Sequence, residues 1–393
     1  MFTKRKHLGR RPAIAVAIGV ACCAVALAAK PVKPAYTIMP FYVTVPPEGY
    51  QSQASWVYDL NEAGRAVGFE RFQKEDGSGE ETCWGLYMDA KAPGCTPVRV
   101  PGAYGATGIN NLNQIVGNKT TFEGAFWRDP ADPDPVSLPP LLGDTLSEPY
   151  AINDAGMVVG HSLWIQDGGQ TILSRAVAWR VVVDGGGTVS VRGPVALPLL
   201  EGATQAWALA LSEWSNGSFH VTGVSVSQDG PDEAVVWTIA FDGESGTLTP
   251  GPAASLVGNH AYNSSGNGVN LDGDACGHVD YMPFVAPAGQ TAQLLPVPPY
   301  TVSGVAHRIN NLSQIVGYVE IKTKPWFSEK NGYFAYLWKE DGSAINLTTK
   351  IDPAAGWARL WEATAINDAG VIGGTGYRNA QWRGFVLIPI EQQ

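Results

Sequence analysis

The nine residues INDAGMVVG at positions 152–160 contain an aliphatic residue, an asparagine, a tight turn and a strand that ends in glycine. An asparagine side chain caps turns, and the Asp, Asn or Gly that follows it tolerates left-handed backbone. The stretch therefore predicts a strand, a hairpin turn and a second strand. The closing glycine, inside an apolar strand, predicts a bulge or the close approach of a neighbouring backbone.

The same phrase recurs along most of the chain. In six copies the glycine follows the asparagine by seven residues, and a degraded seventh copy with a longer turn spans 211–223. The asparagines lie about 51 residues apart on average, a spacing typical of repeat architectures. We expect the repeated asparagine to be a structural turn residue at Asn61, Asn110, Asn153, Asn270, Asn310 and Asn367.

Two further strands are predicted in each repeat. An aromatic-rich phrase follows every copy and predicts a third strand, at 83–87, 125–127, 176–179, 234–237, 284–286, 334–338 and 384–387. A segment rich in leucine and proline usually comes next, and proline there favours an outer edge strand, where a missing backbone donor costs little. It occurs at 136–139, 195–198 and 294–297.

Seven repeats of four short strands predict an all-β chain, a seven-bladed β-propeller with four-stranded blades. A solenoid is the alternative, but it needs polar capping repeats, and the sequence shows none. The last repeat stops after its third strand, and the unassigned strand-like segment at 36–45 would supply the fourth strand and close the ring. We expect one seven-repeat domain over 29–393.

The first 28 residues are predicted to be a secretory signal peptide. Five basic residues precede a 17-residue apolar run, which ends in small residues that fit a cleavage site after Ala28. An uncleaved anchor and a lipoprotein attached at Cys22 are the two alternatives. Cleavage implies export to the periplasm or the cell exterior, with no membrane span in the mature chain.

The mature chain is acidic. Cleavage removes five basic residues, so the mature chain has 21 basic and 36 acidic side chains and a net charge of −15. Such a surface repels phosphate backbones, so nucleic acid is excluded as a partner.

Export permits a disulfide, predicted between Cys83 and Cys95, while Cys276 is interpreted as a small buried hydrophobe. We expect a monomer.

The pairing of an I-N-D-x-G-x-V-V-G phrase with a downstream Ala-Phe-x-Trp strand resembles the HAF-repeat family of predicted bacterial extracellular proteins. The resemblance covers almost the entire mature chain. The family's His-Ala-Phe differs here, because Gly124 and Arg175 stand where it has histidine. The resemblance implies export and repeats, and it implies no activity.

The sequence contains no signature of catalysis. It has no H-E-x-x-H, G-x-S-x-G, P-loop or dinucleotide fingerprint. The acidic clusters at 129–134 and 272–274 do not have the ligand spacing of an EF-hand, and the second occupies the repeat's own turn. We therefore predict no catalytic residue, no metal and no cofactor.

The connections between second and third strands vary in length and would emerge on one face of a propeller, where function usually sits. The main hypothesis is a non-enzymatic binding scaffold for a glycan or protein partner on these loops. One alternative is a propeller-fold glycoside hydrolase or lyase with carboxylates at the channel mouth, and another is a purely structural surface protein. The candidate ligand-binding residues are Trp164, Trp326, Tyr377, Arg378 and Trp382.

Overall fold

The computed structural model describes residues 34–390, except 93, 167–170, 229, 244, 259, 261 and 325–330. The predicted signal peptide over 1–28 lies outside the described residues. The described chain is all-β, as the sequence predicts, with two short 3-10 helices at Leu347–Lys350 and Pro353–Ala355. No helix in the described ranges is both long and apolar enough to cross a membrane.

The strands of the first three repeats follow one N-terminal strand, β1 (Tyr36–Phe41). They are β2 (Tyr50–Leu60), β3 (Arg65–Lys74), β4 (Glu81–Asp89) and β5 (Val98–Arg99); β6 (Ala103–Ile109), β7 (Ile115–Lys119), β8 (Gly124–Trp127) and β9 (Val136–Ser137); β10 (Leu146–Ile152), β11 (Met157–Gln166), β12 (Thr171–Val183) and β13 (Val189–Ala196).

The remaining repeats continue in the same order. They are β14 (Ala203–Leu211), β15 (Ser218–Ser227), β16 (Glu233–Phe241), β17 (Leu248–Pro250) and β18 (Ala254–Ser255); β19 (Ser264–Val269), β20 (Ala275–Val279), β21 (Met282–Ala286) and β22 (Gln293–Leu294); β23 (Thr301–Ile309), β24 (Ile315–Ile321), β25 (Gly332–Trp338) and β26 (Ala344–Asn346); β27 (Trp357–Ile366), β28 (Ile372–Arg378) and β29 (Gln381–Pro389).

Each repeat forms an antiparallel meander in which sequential strands pair. Four sheets have four strands, the sheet of β14–β18 has five, and one eight-stranded sheet combines the first and last repeats. The predicted third strands all lie within observed strands. The predicted prolines do not lie within the edge strands, because β9, β13 and β22 each end two residues before Pro139, Pro198 and Pro296. The arrangement is propeller-like.

A β-bulge interrupts the first strand of every repeat at the residue three positions before the asparagine, or before Ser212 in the degraded copy. The closing glycine of the phrase lies opposite this bulge, and a Cβ on Gly68 would collide with the carbonyl oxygen of Trp56. The predicted close backbone approach is confirmed, and the bulge lies in the paired first strand, opposite the glycine. The bulged residues are Tyr58, Thr107, Tyr150, Leu209, Asn267, His307 and Thr364.

The third-strand tryptophans tie neighbouring repeats together. Trp179 is fully buried, and its indole Nε1 donates to the carbonyl of Pro139, which lies between the second and third repeats, at 2.8 Å. An indole N–H buried in a core needs such a partner. Equivalent 2.8 Å bonds join Trp127 to Pro101, Trp237 to Pro198 and Trp338 to Pro296.

The two ends of the domain meet. β1 pairs antiparallel with β29, in a register that runs from Tyr36 opposite Pro389 to Phe41 opposite Gly384. Glu70 is fully buried, accepts a hydrogen bond from the backbone nitrogen of Val43 at 2.7 Å, and has its Oε1 3.5 Å from Nη1 of Arg383. A buried ion pair thus joins the first repeat to the last, and the bond from Val43 ties the N-terminal segment to the same carboxylate.

The predicted disulfide between Cys83 and Cys95 is not formed, and both residues are free thiols. Cys83 is buried in β4 and shares a hydrogen bond with Tyr104, while Cys95 packs against the core of the first repeat and donates weakly to the carbonyl of Ala90. The two sulfurs therefore belong to different environments. Cys276 is fully buried, and its burial raises the pKa of its thiol to about 12.

Candidate functional site

The antiparallel meander places its two kinds of connection at opposite ends of the strands. The asparagine turns between first and second strands lie on one face, here called the turn face. The connections between second and third strands lie on the opposite face, here called the loop face. First strands from six repeats line one cavity, and we call the space that they enclose the central channel.

The repeated asparagines form a hydrogen-bonded ladder on the turn face. Each is at most 5% exposed, and its Oδ1 accepts from the backbone nitrogen four residues later. Its Nδ2 donates to the backbone carbonyl at the same position in the next repeat. These bonds join Asn61 to Asn110 (3.0 Å), Asn110 to Asn153 (3.1 Å), Asn153 to Ser212 (3.0 Å), Asn270 to Asn310 (3.5 Å), Asn310 to Asn367 (3.0 Å) and Asn367 to Asn61 (3.0 Å).

A second ladder uses the residue after each asparagine. Its backbone nitrogen donates to the side chain of the equivalent residue in the next repeat, as from Asp154 to Glu213 at 3.0 Å and from Asp368 to Glu62 at 3.0 Å. Burial, and then the nearby Asp154, raise the pKa of Glu213 to about 7. Burial also raises the pKa of Glu62. Carboxylates thus surround the turn-face end of the channel.

The cavity at this end is narrow, with a volume of about 180 Å³. Glu62 and Glu213 line it near the turns, and Asp59 and Arg308 line it further in. Burial raises the pKa of Asp59, although the positive charge of Arg308 and a 3.1 Å bond from the backbone nitrogen of Ile109 oppose that shift. In the other five repeats the residue two positions before the asparagine, or before Ser212, is Gly or Ala, so no bulky side chain from this position enters the channel there.

A larger cavity opens on the loop-face side of the channel, with a volume of about 430 Å³. We call it the mouth cavity. Its walls combine aromatic rings from the first three repeats with a few polar groups. Arg308 lines both this cavity and the smaller cavity at the turn face, so its side chain lies between the two. The lining residues are Tyr58, Phe69, Tyr104, Gly105, Thr107, Asn118, Glu148, Tyr150, Leu209 and Arg308.

The bulge accounts for the tyrosines in the mouth cavity. Tyr58 and Tyr150 are bulged residues, and a bulge redirects a side chain that regular pleating would place elsewhere. Burial raises the pKa of both phenols, so they remain protonated donors at neutral pH. The ring of Phe69 stacks on that of Tyr58 with centroids 5.3 Å apart.

One carboxylate of the mouth cavity is held in its ionised form. The Oε2 atom of Glu148 lies 3.2 Å from Nε2 of His161, and this contact lowers the pKa of Glu148. A similar pair lies outside the lining, where His307 is 3.7 Å from Glu362. The negative charge of Glu362 contributes to the raised pKa of Tyr58, so this second carboxylate also lies near the mouth cavity.

None of the described residues that the sequence proposed for ligand binding lines the mouth cavity. Tyr377 and Trp382 form a cross-strand pair with ring centroids 5.2 Å apart, and Trp382 also packs edge-on against Trp361 at 4.5 Å. Trp164, half-buried near the end of β11, belongs to the third repeat. Trp326 lies outside the described residues.

Arg378 is bound to its surroundings. Its Nη1 donates to the hydroxyl of Tyr42 at 2.9 Å, and its guanidinium lies 5.8 Å from the ring centroid of Trp357. The structure therefore brings Tyr377 and Trp382 together and keeps Trp164 in a separate repeat. No group of three or more His, Cys, Asp or Glu side chains in the described part of the chain is arranged to hold a metal ion.

Sequence reasoning missed the mouth cavity. Its tyrosines and Glu148 belong to first strands, whereas the sequence pattern pointed to the connections between second and third strands as the binding region. One signal was available: the position three residues before the asparagine is bulky in some repeats, Tyr58 and Tyr150 among them, and Thr in two others. A position that varies from large to small within a regular repeat is a candidate for contact with a ligand.

No protein-family model and no curated protein sequence matches the chain. Among solved structures, a single-site mutant of B. megaterium levansucrase is 12% identical, covers 80% of this chain and 88% of its own, and has a TM-score of 0.37. Trypanosoma rangeli sialidase is 9% identical over 90% of this chain, which spans 58% of the sialidase, with a TM-score of 0.39. A Bacillus subtilis levansucrase in complex with oligosaccharides is 10% identical, covers 78% of this chain and 90% of its own, and has a TM-score of 0.31. Values this low assign neither fold nor activity to this chain.

Proposed function

We propose that the chain is a seven-bladed β-propeller, closed between its first and last repeats by β1. Three contacts support the closed ring: the pairing of β1 with β29, the bond from Asn367 to Asn61, and a 2.6 Å bond from the hydroxyl of Thr364 to the carbonyl of Val57. Closure protects sheet edges that an open stack would expose. The repeats, the leader over 1–28 and the resemblance to HAF-repeat proteins favour an exported monomer of that family.

The function we propose is non-catalytic binding of a glycan at the mouth cavity. The observation that carries it is the wall composition, with Tyr58, Tyr104, Tyr150 and Phe69 set among the polar groups of the other lining residues. A pyranose ring presents C–H bonds on its faces and hydroxyls around its edge. Aromatic rings pack on the faces, while protonated phenols donate and an ionised carboxylate accepts at the edge. The volume of about 430 Å³ is in the usual range for ligand pockets.

A pair of double variants tests the location. We expect Tyr58→Ala with Tyr150→Ala to weaken capture by a glycan array of neutral hexaoses by about tenfold or more. The matched variant, Tyr377→Ala with Trp382→Ala, removes two aromatics of the predicted loop site and leaves the mouth cavity intact. Thermal melts of both variants report folding. Loss of capture in the second variant alone would contradict the mouth cavity and support the loop residues Trp164, Trp326, Tyr377, Arg378 and Trp382.

A second candidate function is hydrolysis or elimination of a glycoside by carboxylates at the turn-face end of the channel. Glu62 and Glu213 line one cavity, and a pKa of about 7 makes Glu213 a proton donor near neutral pH. Against it, both carboxylates already accept backbone hydrogen bonds from the neighbouring repeat, and about 180 Å³ is small for a ligand pocket. Release of reducing ends from the hexaoses by the native chain, abolished by Glu213→Gln, would support it. No release would exclude it for those substrates.

A further inference from the structure

Two tyrosines on the loop face lie together in the fifth repeat. Tyr262 precedes β19, and Tyr281 lies in the hairpin between β20 and β21. Each residue is 55% exposed, and their ring centroids are 5.0 Å apart. Neither residue lines the channel cavities described above. Paired aromatic rings left half in water gain little stability from burial, so their placement calls for another reason.

The backbone holds the pair in place. The backbone nitrogen of Tyr262 donates to Oδ1 of Asp280 at 2.8 Å, which joins the two segments. The carbonyl of Tyr281 accepts from the backbone nitrogen of Gly304 in the sixth repeat, also at 2.8 Å. Both rings are therefore presented by a fixed frame.

The hairpin carries backbone strain at the tyrosine. Asp280 and Tyr281 have φ values of +48° and +65°, in the left-handed region. A tight hairpin with two such residues favours Asn-Gly, and a bulky side chain at positive φ is a genuine outlier. Glycine at 281 would form the same turn at lower cost, and strained residues of this kind concentrate at ligand-binding sites.

A cleft of about 540 Å³ adjoins the pair. It is lined by Gly230, Pro231, Tyr262, Asn263, His278 and Tyr281. Burial lowers the pKa of His278, so this imidazole is neutral at pH 7, and none of the six described lining residues then carries a charge. The Asn263 side chain accepts from the backbone nitrogen of Asp232 at 3.1 Å, which orients its amide.

We propose that this cleft, the fifth-repeat cleft, is a second saccharide-binding site that takes a neutral sugar unit. Two aromatic faces beside an amide and a neutral imidazole match the apolar faces and hydroxyl edge of a pyranose, and the uncharged lining gives a charged ligand no counter-ion. A protein partner would need a stable interface of about 1,200 Å² or more in total, far beyond two tyrosines.

This site stands independently of the mouth cavity. If both sites bind the same polysaccharide, two weak contacts on one face act together, because the second contact becomes intramolecular once the first has formed. The chain would then retain a polymer more strongly than a single hexaose.

The test exploits the strain at Tyr281. We expect Tyr281→Gly to unfold at the same temperature as the native chain or higher, and to weaken binding of a neutral hexaose at this site by about tenfold. The matched control is Tyr300→Gly, which also removes an exposed tyrosine with a positive φ, +67°, but one that does not line the cleft. Its binding should not change.

Isothermal titration with hexaoses of glucose, mannose, galactose and xylose measures affinity and the number of sites. In the double variant Tyr58→Ala with Tyr150→Ala, one hexaose should still bind, and adding Tyr281→Gly should weaken that binding by about tenfold. Binding at the cleft without binding at the mouth cavity would refute the proposed function and leave the second site supported. Unchanged affinity and stoichiometry in Tyr281→Gly, or no hexaose bound by the mouth variant, would overturn the second site.

Discussion

The side chain of Asn367 donates a hydrogen bond at 3.0 Å to the backbone carbonyl of Asn61, which lies 306 residues earlier in the chain. Equivalent bonds link most consecutive repeats, so the last repeat contacts the first in the same way as consecutive repeats contact each other. Both asparagines are at most 4% exposed. A buried donor and acceptor without partners each cost free energy, and this makes the ladder a testable source of stability.

We expect Asn367→Ala to lower the free energy of unfolding by about 1–3 kcal/mol, because it leaves the backbone nitrogen of Val371 without a partner and removes one of the two donors to the Asn61 carbonyl, which keeps its bond from the backbone nitrogen of Gly64. Urea denaturation measures the loss. Asn270→Ala is the comparison, since its bond to the Asn310 carbonyl is longer, 3.5 Å, and it should cost less. Equal losses would show that the turn, and not the ladder, supplies the stability.

The ladder is interrupted at Ser212, and restoring it should stabilise the chain. Ser212 occupies the asparagine position, and its short hydroxyl bonds locally, to the carbonyl of Glu213 and the backbone nitrogen of His220. We expect Ser212→Asn to raise stability by about 0.5–1.5 kcal/mol, the usual net value of one hydrogen bond. The thermal midpoint should rise, whereas Ser212→Ala should lower it. A lower midpoint for Ser212→Asn would refute this account of the gap.

Gly68 lies opposite the bulge, where an added Cβ would collide with the Trp56 carbonyl oxygen. We expect Gly68→Ala to destabilise the chain by about 1–3 kcal/mol, because the two backbones must separate. The control is Gly105→Ala in β6, where the space around an added Cβ is open and φ is not positive. That variant should lie within about 1 kcal/mol of the native chain. Denaturation curves that fail to separate the two variants would contradict the packing argument.

Trp179→Phe should lose the indole bond to Pro139 and cost about 1–3 kcal/mol, because the Pro139 carbonyl is left without that donor. Trp214 is 47% exposed, and Trp214→Phe serves as a control that also exchanges indole for phenyl. Chemical denaturation of the two variants compares them directly. The expected order is a marked loss for the first and little change for the second.

The carboxyl of Glu213 should make stability depend on pH. Its pKa of about 7 in the folded chain is above the ordinary value of 4.5, so the folded state holds the proton more tightly than the unfolded state. Stability from this group is therefore present at low pH and is lost as pH rises from about 4.5 through 7. Glu213→Gln should melt at a higher temperature than the native chain at pH 8, and the difference should shrink by pH 5. A constant difference would contradict the raised pKa.

The repeat and its strands follow from short-range rules. An asparagine at a turn and a glycine seven residues later are local signals, so the amino-acid pattern is enough to locate first, second and third strands. The prolines of the fourth segment were misplaced, because Pro139 serves as an acceptor for the indole of Trp179, and a contact between repeats leaves no local signal. The prediction of a Cys83–Cys95 disulfide was wrong for a similar reason, since sequence spacing does not show whether two cysteine side chains lie close enough to bond.

The sequence by itself determined that this is an all-β repeat chain, because turn capping and strand patterning act over a few residues. Only the tertiary structure decided which side chains meet. Tyr58, Tyr150 and Arg308 come from three repeats and line one cavity because bulged first strands surround a common channel. Tyr377 and Trp382 pack on each other instead. Side chains far apart in sequence converge only when the repeats pack together, and no spacing rule within one repeat contains that information.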